Sequence, residues 1–201
     1  MYGLDELALK FSKINSECKQ YLSKKIPEVL SLTKSTIITK GAFYNLRPFE
    51  IERAGLKKGR KLKKLPASIK NTHVYYLDDA GRILLIDIYG QANNIINKEF
   101  FLYGKGFLER LHFTSAGGLR NILVSFFDDE ILMKDINWGM YGCSESDYIY
   151  SGSILEKITV NQKEHVDSAF STFDVIFKYK NGELEFITNV FPNGYQEQRF
   201  P

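Results

Sequence analysis

The chain is poor in the residues that build covalent or metal-held frameworks. It has only two cysteines, Cys18 and Cys143, in segments of different character, so a disulfide scaffold is excluded and a reducing compartment is expected, with a single bridge between them left open. Its three histidines, His73, His112 and His165, stand far apart without His-x-x-His or Cys-x-x-Cys spacing; a metal site therefore has no local support, and no cofactor is expected. No run approaches the ~18 uninterrupted apolar residues of a membrane-spanning helix. The first residues lack the basic-then-apolar layout of a secretory signal, so the cytoplasm is the expected location.

Catalytic signatures are equally scarce. Gly104-Lys105-Gly106 lacks the third glycine and the strand-to-helix setting of a dinucleotide loop, and there is no phosphate-binding P-loop. Gly142-Cys143-Ser144-Glu145-Ser146 has the outline of a nucleophile elbow without its trailing glycine. Cys143 paired in space with a distant histidine is the one dyad left to weigh. The expectation is a protein that binds and does not catalyse.

What the chain has in abundance is apolar and aromatic surface: 44% of its 201 residues are hydrophobic and 14% aromatic, enough for a substantial core. From residue 73 onward this surface recurs as an aromatic run, a turn signal and a second apolar run. The first apolar residues after the turns, Ile83, Phe107, Ile131, Ile154 and Leu184, are separated by 24, 24, 23 and 30 residues; the polar stretch 161–171 accounts for the last, longer interval. A fixed period marks a supersecondary unit that must stack on its neighbours to bury its apolar face. Each unit reads as a β-hairpin, and Asn181-Gly182 supplies the positive φ angles of a type I′ turn. About ten strands in an antiparallel meander follow; a sheet with ordinary strand spacing and no true repeat would give a similar pattern.

The first 70 residues differ in character. They carry 16 Lys/Arg and 6 Asp/Glu, a net of +10, whereas residues 71–201 carry 11 and 18, a net of −7. Two parts of opposite sign attract, or each meets its own partner. Leu4, Leu7, Phe11, Ile14, Cys18 and Tyr21 recur at steps of three and four, which predicts an amphipathic helix over 4–26 that covers the sheet or forms a dimer seam. Pro27 is expected to open a second short helical segment. Thr36-Ile37-Ile38-Thr39 reads as a strand, and Pro48 as a turn into another short element.

Two charged groups are candidate binding surfaces. Lys57, Lys58, Arg60, Lys61, Lys63 and Lys64 form the densest basic cluster; a solvated linker, docking on an acidic surface and phosphate contact are all compatible with it, although no aromatic residues interleave to stack bases. Carboxylates recur near the turns: Asp78, Asp79, Asp87, Asp128, Asp129, Glu130, Asp135, Glu145 and Asp147. Asp87 and Asp135 each follow their unit's register residue by four, so matched positions predict an acidic stripe. Trp138 and Tyr141 beside it are candidates for the same partner-binding face, with a core position for the tryptophan equally open.

The unit Tyr75-Tyr76-Leu77-Asp78-Asp79-Ala80-Gly81-Arg82-Ile83 resembles the tyrosine-aspartate repeat of Rhs-type proteins, and the hairpin series over residues 73–190 resembles MORN-like antitoxin repeats. Only the first unit carries the Asp-x-x-Gly-Arg core, and the MORN-type Gly-x-Trp signature is absent. The resemblance implies an extended antiparallel sheet and a role among bacterial immunity proteins that neutralise a cognate protein toxin; it supplies no functional residue. The fold expected from all these readings is α+β: an N-terminal amphipathic helix on a large twisted antiparallel meander, open or curled into a half-barrel. Residues 1–70 would form a basic helical segment and linker, and residues 71–201 the sheet, packed as one unit. The function expected is occlusion of a toxin's active site or substrate path. The basic cluster offers nucleic-acid association as the alternative, and a concave sheet face offers ligand carriage or catalysis.

Overall fold

The computed structural model describes residues 3–92, 95–165 and 167–201. Helices α1 (Leu4–Ser16) and α2 (Cys18–Leu32) lead into strand β1 (Ser35–Lys40), a single helical turn α3 (Glu50–Arg53) and a short strand β2 (Arg60–Leu62). Five hairpins follow: β3 (Thr72–Leu77) with β4 (Ile83–Tyr89), β5 (Ile96–Gly104) with β6 (Phe107–Phe113), β7 (Leu119–Asp128) with β8 (Ile131–Gly139), β9 (Cys143–Ser151) with β10 (Ile154–Lys163), and β11 (Ser171–Lys180) with β12 (Glu183–Val190). Strand β13 (Gln196–Phe200) ends the chain. All thirteen strands form one antiparallel sheet in near-sequential order, with β1 and β2 added beside β3, and the sheet does not close.

The five hairpins fall where the repeat places them. Asn181 and Gly182 both have positive φ, as a type I′ turn requires. Three strands exceed the expected ten. One is the predicted 36–39 strand, now β1; β2 lies inside the basic run and β13 is largely polar, so neither carries the apolar alternation that marks a strand. Residues 1–70 thus contribute two strands to the same sheet.

The helical stripe packs as its spacing predicts. Leu7, Phe11 and Ile14 are buried with Leu85, Phe100, Leu111, Ile122 and Ile136 of the sheet, and Leu4, Cys18 and Tyr21 flank them. Burying such side chains contributes about 1.5–3 kcal/mol each. Two details differ from expectation. The helix is broken at Glu17, whose φ and ψ of −122° and 24° are not helical, and Pro27 opens nothing, because it lies inside α2. Its missing N–H forfeits one helical bond, and the packing of Val29, two residues on, into the core holds the helix through it.

The other face of the sheet is crossed by residues 41–56. Phe43 N donates to the Tyr75 hydroxyl at 3.0 Å, the Phe49 ring lies 5.5 Å from that of Phe177, and Arg199 of β13 donates to the carbonyl of Arg53 at 3.1 Å. Ala54, the next residue, lines a small cavity with Tyr75 and Ile86 of β3 and β4. One short segment therefore touches strands at opposite sides of the sheet, which curls around it. Apolar clusters flank this strap, Tyr75, Ile86 and Phe101 on one side and Tyr148, Ile158 and Phe177 on the other.

Candidate functional site

Between those clusters the strap is joined to the sheet by charge. Glu50 Oε1 accepts from Arg47 Nε and Nη2 at 3.2 and 3.0 Å and from Arg110 Nη1 at 2.7 Å. Arg110 Nη2 also donates to Glu99 Oε2 at 3.1 Å, and His112 Nδ1 lies 3.4 Å from Glu99 Oε1. On the other side, Asp135, 2% exposed, accepts from Ser125 Oγ at 2.5 Å, the Tyr148 hydroxyl at 2.6 Å and Arg47 Nη1 at 3.1 Å. Arg53 Nη1 donates to the same tyrosine oxygen at 3.3 Å.

The three arginines and three carboxylates balance in charge. Burial alone would raise the pKa of Glu50, but Arg110 and Arg47 outweigh it and hold this carboxyl at about 2. Burial likewise opposes the charge on Arg47, and Glu50 and Asp135 reverse the effect and raise its pKa. Burial, with Asp135 adding to it, pushes the Tyr148 phenol up. Burial lowers His112 against the pull of Glu99, so its imidazole is held towards the neutral form.

Beside this network lies a cavity of about 300 Å³, with Arg110, His112, Asn121, Asn137 and Ser144 in its wall. Alternate residues of β6 to β9 share a face, and the pairings His112 with Asn121 and Asn137 with Ser144 bring these side chains together there. Asn121 Nδ2 donates to Asn137 Oδ1 at 2.8 Å. His112 Nε2 is buried without a hydrogen-bond partner among the described residues. A second hollow of about 320 Å³ shares Asn121, Asn137 and Ser144 and opens past Tyr141, which is 68% exposed. Gly142 at its edge has no room for a side chain: a Cβ there would sit 2.0 Å from the Lys163 carbonyl oxygen.

The predicted acidic residues do not form one stripe. Asp135 lies under the strap, whereas Asp87 points to the helical face and accepts from Lys98 at 2.6 Å and the Tyr76 hydroxyl at 3.1 Å. The reason is that the two register residues start on opposite faces: Ile83 packs with Tyr75 and Ile86 on the strap side, whereas Leu132 packs with Tyr148 on that side and so turns its neighbour Ile131 to the other. The turns differ, with Leu77 pairing Ile83 across five residues and Asp128 pairing Ile131 across two. One β-bulge precedes each aspartate, at Leu84 and at Met133, and carries the opposition through to Asp87 and Asp135. Asp78 is consumed inside its own turn by Arg82, at 2.8 Å to both backbone and side chain. Glu145 lies 3.4 Å from Lys134, and Trp138 packs against the core beneath α1.

Asp79, Asp128, Asp129, Glu130 and Asp147 remain exposed. All but Asp147 sit at hairpin tips, which share one rim of the sheet; the tips holding Asp79 and Asp129 are four strands apart, roughly 19 Å, with the Lys105 tip between them. Lys57, Lys58, Arg60, Lys61, Lys63 and Lys64 are all exposed on and around β2, the outermost strand. Lys58 and Lys61 reach over the Phe43 ring at 5.1 and 5.3 Å. Lysines on an edge strand also oppose edge-to-edge association.

Cys18 and Cys143 are both free. Cys143 lies buried opposite Trp138, on the helical face and away from His112, and burial raises its thiol pKa. No group of side chains suited to hold a metal ion occurs among the described residues, and no described helix is long and apolar enough to cross a membrane. No family model and no curated protein matches the chain.

Proposed function

We propose that this chain acts by stoichiometric binding to a protein partner, the cognate toxin that the repeat resemblance implies, and that the hairpin tips are part of the surface it presents. The observation that supports this reading is the division among its carboxylates. Asp78, Asp87, Asp135 and Glu145 are engaged by cations of the same chain. Asp79, Asp128, Asp129 and Glu130 stand exposed at the hairpin tips of the sheet, with no ion pair among the described residues. Unpaired acids on a preorganised rim attract a basic partner and speed its encounter. A cytoplasmic site of action belongs to the same proposal, in keeping with the free thiols.

The test is capture from native lysate, with the product of the neighbouring upstream gene supplied as candidate toxin. One stoichiometric protein should be recovered by the wild type and lost by the Asp128→Asn, Asp129→Asn, Glu130→Gln variant. Equal capture by both would remove the tips from the interface. A second reading rests on the basic edge, where six cations stand exposed. Nucleic-acid association there predicts affinity that falls steeply with salt and disappears when residues 57–64 are neutralised.

A further inference from the structure

We infer that the polar hollow beneath the strap is a binding site for a small neutral polyhydroxylated molecule, of monosaccharide class. The inference goes beyond partner binding and uses a different surface. At about 300 Å³ the hollow lies at the lower end of the range for small-molecule sites.

Its chemistry selects among ligands by elimination. An anion is disfavoured, because Arg47 and Arg110 are already matched by Glu50, Glu99 and Asp135 at hydrogen-bonding distance. A cation finds no idle carboxylate: Glu50, Glu99 and Asp135 each accept from at least one side chain of the network. A hydrophobic ligand would leave this polar wall unpaired, and buried polar groups without partners oppose such binding. The wall of the inner hollow offers a planar base no phenyl, phenol or indole to stack on.

Neutral donors and acceptors remain. The Asn121–Asn137 pair offers one carbonyl and one amide group to the hollow whichever way the two carboxamides are oriented. Ser144 adds a hydroxyl, and His112 Nε2 is a buried polar atom awaiting a partner. Such a set, each able to meet a hydroxyl, fits a polyol. Tyr141 stands at the mouth of the adjoining hollow, where its ring can lie against the carbon face of a sugar.

The experiment is a titration of the full chain with a panel of neutral monosaccharides, followed by the side-chain amide resonances of Asn121 and Asn137 and the imidazole resonances of His112. Inorganic phosphate and adenosine serve as the anionic and planar probes. Saturable shifts at millimolar sugar are expected, and Asn137→Ala or Ser144→Ala should weaken them about tenfold, the worth of one hydrogen bond of about 1.4 kcal/mol. Both variants alter partly exposed positions, and unchanged backbone spectra establish that they fold. The inference is overturned if no sugar gives saturable shifts, if both variants bind as the wild type does, or if phosphate or adenosine binds more tightly than every sugar. Toxin capture by the tip variant is a separate measurement, so the two readings fail independently.

Discussion

Replacing Glu50 by Gln tests whether charge holds the strap to the sheet. The substitution keeps the shape of the side chain but leaves Arg47 and Arg110 with one carboxylate each, Asp135 and Glu99. Two magnitudes bear on the cost. Removing one partner from a buried ion cluster typically destabilises by about 3–5 kcal/mol. The shift of the Glu50 carboxyl from its ordinary 4.5 to about 2 corresponds to a contribution on the order of 3 kcal/mol. The two agree.

The sign follows from the depressed pKa. The folded protein binds this proton more weakly than the unfolded chain, so the contribution is fully present above pH 4.5 and fades as the pH falls towards 2. Urea unfolding followed by the fluorescence of Trp138, the only tryptophan, should therefore show the variant about 3 kcal/mol less stable at pH 7. At pH 3.5 the gap to the wild type should close by somewhat under half, roughly 1 kcal/mol or a little more. Comparing the two chains at each pH cancels the titration of the other carboxylates. A gap below about 1 kcal/mol at pH 7, or one that does not narrow in acid, would refute the reasoning.

Two further outcomes follow from local chemistry. Glu109 is almost fully buried and takes the Lys10 ammonium of α1 at 2.6 Å; Lys10→Met alone should cost about 2–4 kcal/mol, and adding Glu109→Leu should recover most of it, because an apolar pair avoids the stranded charge. Thermal denaturation of the single and double variants measures the recovery. In the β11–β12 turn, Asn181→Ala and Gly182→Ala should each lower stability by about 1 kcal/mol, since both positions have φ above +50°; a loss within error in urea titrations would mean that the turn adapts.

What was legible in the sequence was the local part of the fold. Turn residues mark the five hairpins because the φ angles they permit are set within two to four positions, and the stripe from Leu4 to Tyr21 marks the helical face by spacing alone. The pairing across the turns was not legible. Nothing in the residues around each turn tells that Ile83 pairs with Leu77 across five residues while Ile131 pairs with Asp128 across two, yet that difference starts the two strands on opposite faces and leaves Asp87 and Asp135 apart. The strap was hidden for another reason: residues 41–56 have no period, and their partners lie far along the chain, as Arg47 and Asp135 do at 88 residues apart. The hollow depends on the same long-range geometry. Its one early sign was His112, flanked by Leu111 and Phe113 on an apolar strand, where a polar side chain needs a reason to be present.

The strap also decides how the chain comes apart. A meander of hairpins, each touching only its neighbours, behaves as a one-dimensional array that frays inward from its ends. Here Arg53 is tied to β13 at one extreme of the sheet, Phe43 to β3 near the other, and Arg47 to β8 between them. Peeling away the last strand loosens the strap, and loosening the strap uncovers the first hairpins. The array is thereby converted into a single cooperative unit, in which terminal strands exchange their amide protons at rates governed by the stability of the whole.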